Sequence, residues 1–116
     1  MASMNAVRIH AYGGRDALVY QEAPRPIAGE GEVLVRVHAT TVNPFDCAVR
    51  AGYLTAWYNY SFPLILGLDI SGVIEEVGAG VTGFAPGDAI YARADPGQNG
   101  AYAEYVAVNE LNRVKS

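Results

Sequence analysis

The sequence predicts a mostly-β fold, a sandwich or closed barrel of short strands with one short helix. Residues 33–43 alternate with the two-residue period of a strand, Val33, Val35 and Val37 against Leu34, Arg36 and His38. Further β-rich runs recur along the chain, each bounded by Gly, Pro, Asn or Asp, at 6–10, 18–22, 70–77, 88–92 and 102–108. Only one stretch carries helix-start signals.

That helix begins after residue 43. Asn43 suits the N-cap, Pro44 the first helical position and Asp46 the first turn, and Gly52 supplies the stop, so about two turns are expected. Asp46 and Arg50 stand at i and i+4 and could pair along one face. The aromatic-rich segment 53–60 has no steady period and is predicted to be an ordered loop containing a turn of helix.

Composition limits the class of protein. The 116 residues fit one domain, and with 51% hydrophobic and 17% charged residues they are too apolar for a disordered chain. The net charge of -4 includes no basic run, so neither nucleic acid nor a membrane is expected as a partner. One cysteine excludes an intrachain disulfide, no secretory signal is visible, and a cytoplasmic location is expected.

Residues 78–83, GAGVTG, match the glycine pattern of dinucleotide-binding turns. That pattern needs a helix whose N-terminal amides face the pyrophosphate. Here the next residues are FAPGD and another β-rich run. Gly78, Gly80 and Gly83 are therefore predicted to permit positive φ in a connection between strands, not to bind a cofactor.

The sequence contains residues that could form a metal site or a nucleophilic site. The possible metal ligands do not have the spacing of a zinc site, so no metal is expected; they are His10, His38, Asp46, Cys47 and Asp69. No histidine lies near Cys47 in the sequence, and a packed, apolar role is expected for its side chain. The cluster from Asn43 to Tyr60 suits a polar, partly aromatic ligand, although capping, ion pairing and packing could also account for it.

Three segments together resemble a known family. They are GEVLVRVHATTVNPFDCAVRAG, FPLILGLDISGVIEEVGAGVTGFAPGDAIYA and GAYAEYVAV. In this order they resemble the N-terminal, GroES-like domain of the medium-chain dehydrogenase/reductase superfamily, in its zinc-free quinone oxidoreductase branch. The resemblance implies a mostly-β, partly open barrel over residues 1–116 with one or two short helices. Zinc-dependent members have a cysteine ligand where Asn43 stands and Gly-His-Glu where this chain has Gly67-Leu68-Asp69, so no zinc is implied.

The resemblance also implies a chemistry and site residues. Family members transfer a hydride from NADPH to a quinone or to the β-carbon of an enone. It implies that Asn43, Asp46 and Tyr53 serve catalysis and that these three, with Arg50, contact the cofactor. In the family the nucleotide sits mainly on a Rossmann domain that follows this segment, so the 116 residues are expected to be a fragment that is inactive alone.

Two alternatives remain. The chain could be a stand-alone, non-catalytic β module that binds a partner or forms a homo-oligomer through a surface that a second domain normally covers. A zinc alcohol dehydrogenase would require metal to be bound despite the missing ligands.

Overall fold

A computed structural model describes residues 3–58, 60–94 and 99–115. Within these ranges it contains eight strands and one α-helix. In chain order they are β1 (Ser3–Ile9), β2 (Val19–Pro24), β3 (Glu32–Thr40), α1 (Pro44–Ala51), β4 (Leu64–Ile65), β5 (Asp69–Val77), β6 (Ala89–Arg93), β7 (Tyr105–Asn109) and β8 (Arg113–Lys115). Short 3₁₀ turns cover Arg15–Ala17 and Glu110–Asn112.

The strands form two antiparallel sheets. One has three strands in the order β2-β1-β4, and the other has five in the order β7-β3-β5-β6-β8. A single bridge, Ala6 to Ala103, and the bond from the Val7 N–H to the Tyr102 carbonyl join the first sheet to the segment before β7. The described strands do not close into a barrel, so the partly open barrel is confirmed and full closure is wrong.

The main core lies on one face of the five-stranded sheet. Val33 and Val35 are fully buried in this core. Leu34 lies between them on the opposite face of β3 and is only 1% exposed, so both faces of the strand are buried there and the burial does not follow the two-residue period. Each such side chain stabilises the fold by about 2 kcal/mol through burial. Ile9, Val49, Leu64 and Leu66 form a separate buried cluster that holds α1 against β1 and β4.

The predicted strands are confirmed, with differences of up to three residues at their ends. β3 ends at Thr40 and not at residue 43, because Thr40, Thr41 and Asn43 turn their side chains toward Asp69. β7 begins at Tyr105 and not at residue 102. The remaining predicted strands lie within three residues of the observed ends, while β4 and β8, with two and three residues, were not predicted.

The helix and the loop after it are confirmed. Asn43 is the N-cap, and Gly52 ends the helix in the left-handed region with φ 87°. The N–H groups of Trp57 and Tyr58 both donate to the Leu54 carbonyl, which makes one helical turn in the following segment. No helix in the described residues is long and apolar enough to cross a membrane.

GAGVTG connects β5 to β6, and the next element is a strand, as predicted. Gly80 and Gly83 have φ of 82° and 84°, so their conformations favour glycine. Gly78 is not among the positive-φ residues; a Cβ there would collide with the Gly29 carbonyl oxygen. Glycine at 78 is required by the close approach of two backbones, and the expectation of positive φ there is wrong.

Candidate functional site: the corner between β3 and α1

Polar side chains meet where β3 turns into α1. Thr41 and Asn43 follow the end of β3, and Asp69 opens β5. Because Thr40 pairs with Ile70 in the antiparallel register, the end of β3 lies beside the start of β5. The Thr40 hydroxyl donates to the Asp69 carbonyl at 2.7 Å and closes this corner.

The side chains of Asn43, Thr41 and Asp69 form one hydrogen-bonded group. The Asn43 Nδ2 donates to Asp69 Oδ2 at 2.9 Å and to Thr41 Oγ1 at 3.2 Å, and Thr41 Oγ1 donates to the same Asp69 oxygen at 3.0 Å. The bond from Asn43, then that from Thr41, lowers the pKa of Asp69, and the charge of Arg93 acts in the same direction. Asp69 therefore stays ionised and holds the Asn43 amide in one orientation.

Beneath this group lies Asp46, which is 3% exposed. Its carboxylate accepts hydrogen bonds from the Asn43 backbone N–H at 3.0 Å, the Gly67 N–H at 3.2 Å and the Tyr102 hydroxyl at 3.2 Å. A buried carboxylate is tolerated when such donors replace water. Asp46 thus ties the helix start to two distant segments.

The Tyr102 hydroxyl also lies 3.3 Å from the Thr41 carbonyl oxygen, to which it donates. Burial of the phenol, followed by the negative charge of Asp46, raises the pKa of Tyr102. The hydroxyl consequently remains a donor throughout the neutral range.

A cavity of about 300 Å³ opens beside Asp69. It lies between the end of β3 and β6, and its lining includes Ile70, Tyr91 and Ala92 with Thr41 and Asp69 at the polar side. A few polar groups beside an apolar wall are typical of small-molecule sites.

This fold and this corner agree with one family. Residues 29–116 match the model of the alcohol dehydrogenase GroES-like domain. The chain belongs to the alcohol dehydrogenase GroES-like domain family. Its place in the medium-chain dehydrogenase/reductase superfamily, implied by the sequence segments, is confirmed.

Several relatives and solved structures that resemble this chain are oxidoreductases. In an alignment of 120 positions the chain is 41% identical to the mitochondrial NAD(P)H oxidoreductase RTN4IP1 of Danio rerio, covering 91% of this chain and 31% of that protein. It superimposes with a TM-score of 0.88 on the quinone oxidoreductase of Coxiella burnetii, at 28% identity, covering 98% of this chain and 37% of the other.

It also superimposes with a TM-score of 0.88 on the cobalt- and zinc-bound alcohol dehydrogenase of Pyrobaculum aerophilum, at 31% identity, covering 99% and 42%. The chain thus spans about a third of the length of the curated relatives it matches, 31% for the Danio rerio protein. The family is one of NAD(P)H-dependent oxidoreductases and alcohol dehydrogenases. Because the Danio rerio relative is mitochondrial, the cytoplasmic location stays a prediction.

Of the predicted site residues, the GroES-like domain brings only Asn43 and Asp46 together. Arg50 lies at the other end of α1, where its Nε donates to the Gly13 carbonyl at 3.3 Å. The predicted Asp46–Arg50 pair is wrong, because Asp46 turns inward to donors on other segments. Tyr53 follows Gly52 and is 75% exposed, beyond the helix end opposite Asn43.

Three residues of the corner had not been predicted in their observed roles. The sequence gives no signal for Thr41, and it indicates Asp69 only as a possible metal ligand and Tyr102 only as part of a strand. The motif GAYAEY, which contains Tyr102, was the signal that could have led to it. The expectation that Cys47 is packed is wrong, because its thiol is exposed.

The positions at which zinc-dependent family members carry metal ligands do not suit zinc here. Leu68 is buried and offers no ligand atom, and the Asn43 amide nitrogen donates to Asp69. Among the described residues no three His, Cys, Asp or Glu side chains gather into a metal site. Zinc independence remains a prediction.

Proposed function

We propose that this domain forms the substrate side of a zinc-independent, NADPH-dependent oxidoreductase that transfers a hydride to a quinone or enone-type carbonyl compound. The bond from Asn43 Nδ2 to Asp69 Oδ2 carries the proposal. It places a fixed amide where zinc-dependent relatives place a metal ligand, and an oriented amide can hydrogen-bond to a nicotinamide or a carbonyl group.

The bound nicotinamide supplies the hydride, and the residues of this chain orient the reactants. Asn43 positions the nicotinamide or the substrate, with Asp69 and Thr41 holding its side chain. Asp46 fixes the start of α1 and Arg50 fixes its end. The cavity beside Asp69 offers an apolar wall for a planar ring.

A carbonyl oxygen that gains negative charge during hydride transfer needs a hydrogen-bond donor. Tyr53 is the first tyrosine to test for this role on the basis of the family resemblance, although it lies beyond the end of α1 opposite Asn43. Tyr102 is less suited to it, since its hydroxyl already serves Asp46 and Thr41. We place the main nucleotide site on a separate Rossmann domain, by analogy with the family.

The test uses the protein with all the sequence that follows this segment in its reading frame. NADPH oxidation is measured with 1,4-benzoquinone and with an enone, before and after treatment with a chelator. We expect turnover that survives chelation, and a loss of about 100-fold in kcat/KM for Asn43→Ala. The matched control is Asn5→Ala, since Asn5 is an exposed asparagine on β1. Equal rates for Asn43→Ala and the wild type would remove the role of Asn43, and loss of activity with the chelator would remove zinc independence.

A second candidate function, a non-catalytic module that binds a partner or a second copy, has one observation in its favour. Val42, Tyr53 and Trp57 are each about three-quarters exposed, at 75%, 75% and 73%. Exposed apolar side chains favour association. A protein that lacks NADPH turnover but associates through these residues would support the module.

A further inference from the structure

Tyr102 contacts the corner without belonging to either of the elements that form it. We propose that Tyr102 is a positioning residue, whose hydroxyl fixes the Thr41 backbone and the Asp46 carboxylate and, through them, the Asn43 side chain. The inference deepens the proposed function, because it concerns the residue that function depends on. The hydrogen-bonded arrangement itself can be tested without any assay of activity.

The position of the Tyr102 side chain is set from both ends. Its backbone N–H donates to the Leu66 carbonyl at 2.9 Å, and its carbonyl accepts from the Val7 N–H at 2.7 Å. Its ring lies against Gly67, where an added Cβ would come within 2.7 Å of the ring. Because the backbone and the ring are both held, the hydroxyl reaches the corner at a defined point.

At that point the hydroxyl serves two acceptors that flank Asn43 in the sequence. It lies 3.2 Å from Asp46 Oδ2 and 3.3 Å from the Thr41 carbonyl oxygen. Asp46 Oδ2 in turn accepts from the Asn43 backbone N–H at 3.0 Å, and Thr41 Oγ1 accepts from Asn43 Nδ2 at 3.2 Å. The Tyr102 hydroxyl proton is therefore shared between Asp46, which holds the backbone of Asn43, and Thr41, which holds its side chain.

Removal of the hydroxyl leaves the tyrosine ring in place and releases both acceptors. In Tyr102→Phe the Asn43 and Gly67 N–H groups would still face Asp46, but the carboxylate would have lost one of its three donors. The corner should then open locally more often, while the sheet remains closed. A purely structural contribution to the whole fold would instead raise opening everywhere.

The experiment is amide hydrogen exchange followed by NMR on the 116-residue chain. In Tyr102→Phe we expect the Asn43 and Gly67 amides to exchange about tenfold faster relative to the Ile74 amide, which donates to Asp88 in the core sheet. The Asn43 side-chain NH₂ resonances should shift as well. The matched control is Tyr105→Phe, because the Tyr105 ring packs under Arg25, away from the corner. Equal acceleration at all three amides, or none at Asn43 and Gly67, would overturn the proposal.

A second measurement needs no variant. In the wild-type chain labelled at tyrosine ¹³Cζ, the Tyr102 resonance should keep its neutral-phenol position at pH 10, the ordinary pKa of tyrosine being 10.0. A half-ionised Tyr102 at that pH would contradict the proposal even if Tyr102→Phe failed to fold. If Tyr102→Phe opens the corner locally but the wild-type protein does not oxidise NADPH, the positioning role stands and the proposed function fails.

If the wild-type protein oxidises NADPH but Tyr102→Phe does not open the corner, the proposed function stands and the positioning role fails.

Discussion

The side-chain nitrogen of Asn43 lies 2.9 Å from Oδ2 of Asp69, across 26 residues of sequence. The amide can donate only while the carboxylate has a free lone pair, and the charged form is the better acceptor. The orientation of Asn43 therefore depends on the ionisation of Asp69.

Acidification should release Asn43. The pKa of Asp69 in the fold lies below its ordinary 3.8, so the stabilisation is present above pH 3.8 and is lost as the pH falls through the lower, folded value. The Asn43 side-chain NH₂ resonances, followed by NMR from pH 7 to pH 2, should titrate with a midpoint below 3.8. In Asp69→Asn this transition should be absent. A midpoint above 3.8 in the wild type would contradict the expected sign.

Replacement of Asp46 should be costly for the fold. Asp46→Asn puts an NH₂ group where a carboxylate oxygen accepts, which leaves a buried N–H or the tyrosine hydroxyl unpaired. We expect the free energy of unfolding to fall by about 3 kcal/mol, measured by urea denaturation. Asp16→Asn is the control, since Asp16 is exposed in a 3₁₀ turn and should change the value by less than about 0.5 kcal/mol. Similar losses of stability for both variants would show that the buried hydrogen bonds of Asp46 do not contribute specifically to the free energy of unfolding.

Two glycines with positive φ should respond differently to alanine. At Gly80, φ is 82° and nothing lies within 4 Å of an added Cβ, so Gly80→Ala should cost about 1 kcal/mol from the backbone conformation alone. At Gly67, φ is 105° and the Cβ would also press on the Tyr102 ring, so Gly67→Ala should cost about 3 kcal/mol or more. Urea denaturation of both variants gives the difference. Equal costs would mean that the ring moves aside freely.

The exposed aromatic side chains after α1 should promote association of the 116-residue chain. Tyr53 and Trp57 are four residues apart and about three-quarters exposed, at 75% and 73%. We expect the average mass in sedimentation velocity to rise with concentration and Trp57→Ser to reduce that rise. Tyr20→Ser, which removes a 72% exposed aromatic residue from β2, should not. A chain that stays monomeric at every concentration would exclude this surface as a homo-oligomer contact.

Local signals in the sequence predicted the local structure. The cap at Asn43, the proline after it and the stop at Gly52 act within a few residues, and α1 begins and ends where they indicate. The two-residue alternation from residue 33 likewise predicts the strand β3, but not the burial of Leu34 on its opposite face.

The contacts of the site join residues that are far apart in the sequence, and a local pattern cannot predict such contacts. Asp46 faced a plausible partner four residues away in Arg50, yet its donors Gly67 and Tyr102 lie 21 and 56 residues away. β4 has two residues and exists because β1 pairs with it, Arg8 opposite Ile65. In both cases tertiary packing determines the outcome: local sequence does not specify which partner Asp46 takes, or whether residues 64–65 form a strand.

The three donors to Asp46 also limit how this domain can be engineered. They come from residues 43, 67 and 102, so the loop and helix from 41 to 52 cannot be transplanted on their own. A chimera that transplants this segment into another member of the family would bring the buried carboxylate with the Asn43 N–H but without its two other donors, unless the host has a glycine and a tyrosine at the matching places. Successful grafts should therefore transfer Asp46, Gly67 and Tyr102 as a set.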